Sequence, residues 1–209
     1  VPLVNRKATA ALGRTTTIEH LHVSPGFVTR VTVDNLRSDQ PEHFENAGAP
    51  FFTAQHATVE IDLWKLLWHR SLFLPVIKLD TPTADVVRRE DGSANYLIGS
   101  QDKKEEPSDN SGSGFSPSSI GGLEISDGHV RYRDDILRAD MNTTLHTTPA
   151  TSDTDRGTIV ADTTGRYAGQ DIRGHFVGGA LLSITDTNTT YPADPAVRNG
   201  STRVTLKGS

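Results

Sequence analysis

Cysteine is absent from the 209 residues. That removes disulfides, thiolate nucleophiles and thiolate metal ligands, and it leaves the redox compartment open. Long apolar runs are missing too, so no segment reads as a membrane-spanning helix. Lysine and arginine are scattered singly in a chain of net charge -5, which argues against a nucleic-acid partner, since that footprint needs clustered basic residues. The opening VPLVNRK lacks the apolar stretch of a secretory leader and begins without methionine. Hydrophobic content is 34%, lean at first sight but ordinary for a β protein rich in glycine and threonine.

Chemical motifs are scarce as well. His20-Leu21-His22 is an H-x-H on a strand pattern, which aims two imidazoles at one face. A metal site needs three or four ligands, and no third is identifiable, so exposed strand histidines are expected and no metal. Asp153-Thr154-Asp155 and Asp186-Thr187-Asn188 lack the glycine and distal glutamate of a calcium loop. Ser100-Gln101-Asp102-Lys103 fits S-x-x-K but lies where no base is pre-organised. Neither G-x-S-x-G nor a phosphate-binding glycine loop is present. We expect no enzyme and no cofactor.

What the chain does have is alternation, and residues 51–96 carry its clearest form. Ala57, Val59, Ile61 and Leu63 alternate with Thr58, Glu60 and Asp62, the pattern of a strand with one dry and one wet face. Leu63, Leu66 and Leu67, with Trp64 and Trp68, then recur at helical spacing, so a short helix is expected near residues 62–69. The indoles suit either a membrane interface or a cap on the end of a sheet. Extended chain follows over residues 71–79, with Pro75 favouring an edge or bulge. Asp80-Thr81-Pro82 reads as a bend, 83–88 as another strand, and Glu90-Asp91-Gly92-Ser93 as a hairpin turn.

Around this unit, residues 3–12 read as a helix ended by Gly13. Residues 15–23 and 27–34 flank Ser24-Pro25-Gly26 as a first hairpin, and 37–50 read as a surface loop. Residues 99–119 are nearly devoid of apolar side chains and cannot offset their ordering entropy, so a flexible insertion is expected there. Beyond it, 123–125, 130–133, the alternating set Leu137, Ala139, Met141, Thr143 and Leu145, and 158–167 with 171–177 read as strands. Residues 178–182 suggest a helical turn, 191–199 a proline-punctuated loop, and 203–207 a last strand. Three parts result: a helix plus β-unit over 1–98, the insertion over 99–119, and a second β-unit over 120–209 continuing the same sheet. Setting residues 78–82 over 124–128 places Ala84 on Val130 and Val86 on Tyr132, a faint internal repeat.

Ile77, Leu79, Pro82, Val86, Arg88, Asp91, Gly92, Ala94 and Asn95 fit I-x-L-x-x-P-x-x-x-V-x-R-x-x-D-G-x-A-N, a stretch that resembles the AsmA family of bacterial envelope proteins. Gly128, Arg131, Tyr132, Arg133 and Asp134, and then Gly165, Arg166, Tyr167 and Gly169, are similar to further patterns of that family. The resemblance implies a periplasmic region tethered to the inner membrane by an anchor ahead of this chain. It also implies a role in outer-membrane biogenesis, with phospholipid acyl chains as the partner.

The fold expected is mainly β: a curved, twisted antiparallel sheet of serial hairpins with two short helices. One-sided strands leave an apolar face to be covered by a second sheet, by the helices or by lipid. Residues expected to face that trough or core are Val31, Val33, Val59, Ile61, Leu79, Val86, Val130, Leu137, Met141, Leu145, Ile159 and Phe176. If lipid covers them, the protein assists phospholipid transport between the two membranes; if protein does, it is a scaffold module in outer-membrane protein assembly.

Overall fold

The structure, a computed structural model, describes residues 2–63, 68, 73–97, 119–120, 122–148, 157–179, 193–199 and 202–205. Helix α1 (Pro2–Leu12) starts on a proline, whose missing N–H would have no intrahelical partner there, and stops at Gly13, whose φ of 63° suits a left-handed C-terminal residue. The strands are β1 (Thr16–Thr17), β2 (His20–Ser24), β3 (Val28–Ser38), β4 (Phe52–Asp62), β5 (Phe73–Leu74), β6 (Ile77–Asp80) and β7 (Thr83–Arg88). After these come β8 (Ser119–Ile120), β9 (Leu123–Ser126), β10 (Gly128–Asp134), β11 (Ala139–Thr148), β12 (Thr158–Tyr167), β13 (Gln170–Gly179), β14 (Ala193–Asn199) and β15 (Thr202–Thr205). All but β5 and β8 belong to one open sheet.

That sheet is mixed, where serial hairpins predicted an antiparallel one. Strands β6 and β9 pair in parallel, Leu79 beside Ile125, and so do β7 and β10, Val86 beside Tyr132. The small β5–β8 pair is parallel too, Phe73 beside Ser119. Each of these partners is 46 residues apart, the offset of the faint sequence repeat. The repeat is therefore physical: two bent strands of the same form lie side by side in register. From β10 to β15 the pairing is a plain antiparallel meander.

A crease crosses the first half of the sheet. Asn35, Thr81 and Asp127 have φ of 49°, 46° and 49°. Extending the registers across the strands places Glu19, Asn35, Gln55, Thr81 and Asp127 on one line. The predicted strand over 15–23 is accordingly interrupted between β1 and β2, both of which keep the same register on β3. A left-handed residue inserts an extra half-step in the alternation, as a bulge does. Leu79 and Ala84 thus share a face although they are an odd number of residues apart, and so do Ile125 and Gly128. A Cβ added at Gly128 would meet Ile125 Cγ2 and Leu145 Cγ, each at 2.9 Å, which places those side chains together on that face.

Asparagine and aspartate tolerate left-handed backbone, whereas a β-branched threonine is strained there. Thr81→Asn is therefore expected to stabilise the protein by about 0.5–1 kcal/mol, read as a raised urea midpoint at unchanged slope.

Other departures are local. The predicted surface loop over 37–50 contains a 3-10 helix (Glu42–Ala47) and buries Phe44, 4% exposed, with Arg89 stacked 4.2 Å from its ring. Leu137 lies in the turn between β10 and β11, not in a strand, because Asp134 Oδ1 accepts the Leu137 N–H at 2.8 Å and bends the chain there. Gly178 and Gly179 end β13 instead of starting a helix, and Ala193–Asn199 is a strand despite Pro195. Leu63 and Trp68 have helical backbone, but the residues between them, the insertion over 99–118, both acidic loops around Asp153 and Asp186, and Ser100 to Lys103 lie outside the described residues.

Candidate functional site: an apolar face closed by a polar lock

The registers assign each strand residue to a face. Leu21 and Val23 of β2 stand beside Val33 and Val31 of β3, and these beside Ala57 and Val59 of β4. Next come Leu79 and Ile77 of β6, then Ile125 and Leu123 of β9. Past the crease the same face carries Ala84 and Val86 of β7, Val130 of β10, and Met141 and Leu145 of β11. It continues through Ile159 and Ala161 of β12 to Ile172 and Phe176 of β13. Every residue expected on the apolar face is brought to it except Leu137. None of them is fully buried; most are half-buried and Phe176 is exposed. Among the described residues, the only other sheet is the two-stranded β5–β8.

The opposite face is polar and zipped by cross-strand pairs. Arg30 bonds Glu60 at 2.8 Å, Asp34 meets His56 at 2.8 Å, Lys78 meets Glu124 at 2.7 Å and Asp162 meets His175 at 2.7 Å. Thr32 and Thr58 share a hydrogen bond at 3.3 Å. His20 and His22 lie exposed on β2, opposite Asp34 and Thr32. Among the described residues no group of three or more His, Asp or Glu is placed to hold a metal ion.

Beside β7, the motif residue Asn95 is 0% exposed and gathers partners from several segments. Its Oδ1 accepts the Val87 N–H at 2.9 Å, and its Nδ2 donates to the Asp85 carbonyl at 2.6 Å and to Gln40 Oε1 at 2.8 Å. The side-chain amide thus stands in for a strand residue beside β7. Its own carbonyl accepts from Arg14 Nη2 at 3.0 Å. Arg14 is only 6% exposed, and burial pushes its guanidinium below its ordinary pKa; the face of Phe51, 4.1 Å away, faces that charge. Arg133 reaches Asp85 from β10 at 2.8 Å.

Asp134, 1% exposed, closes the other side of the lock. The Leu137 N–H holds its carboxyl below the usual carboxylate range, helped by the Tyr132 hydroxyl. Tyr132 donates that bond at 2.7 Å. The bond, with burial, pushes the phenol up to about 12. Arg88 stands 3.8 Å from Asp134. In the exposed turn, Asp91 accepts from the Ser93 N–H and hydroxyl at 2.8 and 2.6 Å, and those bonds lower its pKa. These residues fasten a hairpin and a turn. Arg14 and Gln40 also line an open pocket with Thr9, Arg37, Asp39 and Pro41.

Sequence reasoning missed Arg14 and Phe44 as interior residues. Arg14 follows a helix-ending glycine, a place where arginine ordinarily meets water, and Phe44 is a lone aromatic among charged neighbours. Comparison of the chain with protein-family models, with curated proteins and with solved structures finds no match.

Proposed function

We propose that this chain is a non-catalytic, periplasmic part of a bacterial envelope protein of the AsmA kind, tethered to the inner membrane, and that its apolar face shelters phospholipid acyl chains on their way to the outer membrane. The observation that carries the reading is the continuity of that face. It runs from Val23 on β2 to Phe176 on β13 and stays on one side where the crease would otherwise invert the alternation. Half-buried valines and isoleucines on a sheet that has no second large sheet against it among the described residues are a surface in want of an apolar partner. Each methylene kept from water there lowers the cost of lipid transfer by about 0.8 kcal/mol.

The reading makes a specific demand on Ile61, which stands beside Thr29 near one end of the face. On an open trough, Ile61→Asp folds, because the carboxylate reaches water, with a melting point expected within about 5 °C of the parent's. Phospholipid recovered with the purified protein then falls. A photo-crosslinking residue at Val59 captures phospholipid in cells. In a sealed core the same aspartate buries an unpaired charge and costs several kcal/mol. An unfolded Ile61→Asp protein with no lipid captured at Val59 would overturn the trough and leave the scaffold reading in its place.

A further inference from the structure

The polar lock leaves Arg14 partly unpaired. The residue is 6% exposed, and its Nη2 donates to the Asn95 carbonyl at 3.0 Å. Nε and Nη1 are buried without a hydrogen bond among the described residues. No ion pair among those residues includes the guanidinium. Arginine keeps its proton even so, and a buried cation without a counter-charge is costly. The face of Phe51, 4.1 Å from Cζ, offsets part of that cost but engages none of the in-plane donors. The open pocket that Arg14 lines with Thr9, Arg37, Asp39 and Glu42 has a volume of about 660 Å³. None of its lining residues belongs to the apolar face.

We propose that this pocket binds a single carboxylate on the Arg14 guanidinium. Charge sets the class. Arg37 is paired with Asp39 at 2.7 Å, which leaves Arg14 as the cation of the pocket without an acid. Glu42 is exposed and lines the pocket too. The carbonyl end of α1 comes in at Gly13, where the helix dipole is negative. A doubly charged phosphate would be repelled by both, whereas one carboxylate balances Arg14 alone and matches its planar fork. Neither orphan nitrogen faces solvent, so the ligand meets them as the guanidinium shifts toward the pocket it lines. The charge-assisted bonds gained there are stronger than the ring contact that the shift loosens. The site goes beyond the trough reading and stands without it.

The test follows thermal unfolding of the whole chain in sodium acetate against sodium chloride of equal ionic strength. A second arm uses acetyl-trialanine ending either in a free carboxylate or in an amide. Acetate is expected to raise the melting temperature by about 4 °C at about ten times its dissociation constant. It is also expected to move the Arg14 Nε–H resonance in a proton–nitrogen spectrum. If the pocket serves free small acids, acetate and the peptide acid bind alike. If it serves a chain end, the peptide acid binds more tightly; in either case the amide does not bind. Glu42→Gln, an exposed change outside the lock, is expected to tighten acetate binding about 3-fold, and Arg14→Gln to abolish it. Should Arg14→Gln not fold, the Glu42→Gln comparison and the Arg14 resonance of the parent decide. No gain from acetate over chloride, a gain kept by Arg14→Gln, no change with Glu42→Gln, an unmoved Arg14 resonance, or tighter binding of inorganic phosphate than of acetate would each overturn the proposal.

Discussion

Gly165→Ala is expected to destabilise the protein by about 4 kcal/mol, which for a chain of this size lowers the melting temperature by about 12 °C. Gly165 sits on β12 with φ of 154°, a region open in practice to glycine alone. A Cβ there would run into the carbonyl oxygen of Asp140 and lie 2.7 Å from Met141 Cα. Those atoms are the backbone of β11 and cannot rotate aside as a flexible side chain can. Backbone strain and overpacking each contribute about 1–3 kcal/mol, and here they act together. Thermal unfolding followed by far-ultraviolet circular dichroism checks it; a melting point within about 3 °C of the parent's would mean that β11 yields without cost. Gly169, in the β12–β13 turn at φ of 83° beside Ala168 at 50°, has a separate reason to be glycine. Two successive positive φ values define a type I′ turn.

Asn95→Ala is expected to cost about 3 kcal/mol by urea titration, because it strands two buried partners and a half-buried one at once. The Val87 N–H, the Asp85 carbonyl and Gln40 Oε1 all lose their bond to the amide, and the first two bonds are buried. Asn95→Asp is the sharper comparison. The carboxylate preserves size and still accepts from Val87, but it faces two acceptor oxygens where the amide donated. A loss at least as large as for alanine is expected. Asp91→Ala, in the exposed part of the same turn, is expected to stay within about 0.5 kcal/mol. If Asn95→Asp were neutral, the lock described around Asn95 would be wrong.

Much of the apolar face was legible because alternation is a local signal. Val31, Val59, Ile61, Leu79 and Met141 could each be placed from the residues beside them. The bend at Asp80-Thr81-Pro82 was visible too, but not what it does to the strand. Whether a bend turns a strand back or only creases it depends on the partner strand, which here lies 46 residues away. Nothing local distinguishes the two, so parallel pairing was missed even though the repeat that produces it was seen. Leu137 was misplaced for the converse reason. The alternation runs on through it by chance, while the Asp134 carboxylate that captures its N–H leaves no periodic trace. The polar lock was legible as motif letters without a geometry: Asn95, Asp134 and Arg133 read as a signature, and only the fold reveals that Asn95 bonds the backbone of Val87 and Asp85, Asp134 the Leu137 N–H, and Arg133 the Asp85 carboxylate.

The crease also governs how the sheet can deform. Its line crosses β3 and β4 and the junctions β1–β2, β6–β7 and β9–β10, and on either side of it each strand is hydrogen-bonded to neighbours that turn at the same level. The bonds from Thr81 N–H to Ser126 O at 2.9 Å and from His129 N–H to Pro82 O at 2.8 Å stitch the corner itself. No strand can straighten alone without tearing the ladder beside it. The corner therefore behaves as a single stiff joint, and the angle between the two arms belongs to the whole set of backbones and not to any one side chain. Exchanging valine for isoleucine along the face retunes its relief, while its curvature stays where the backbone put it.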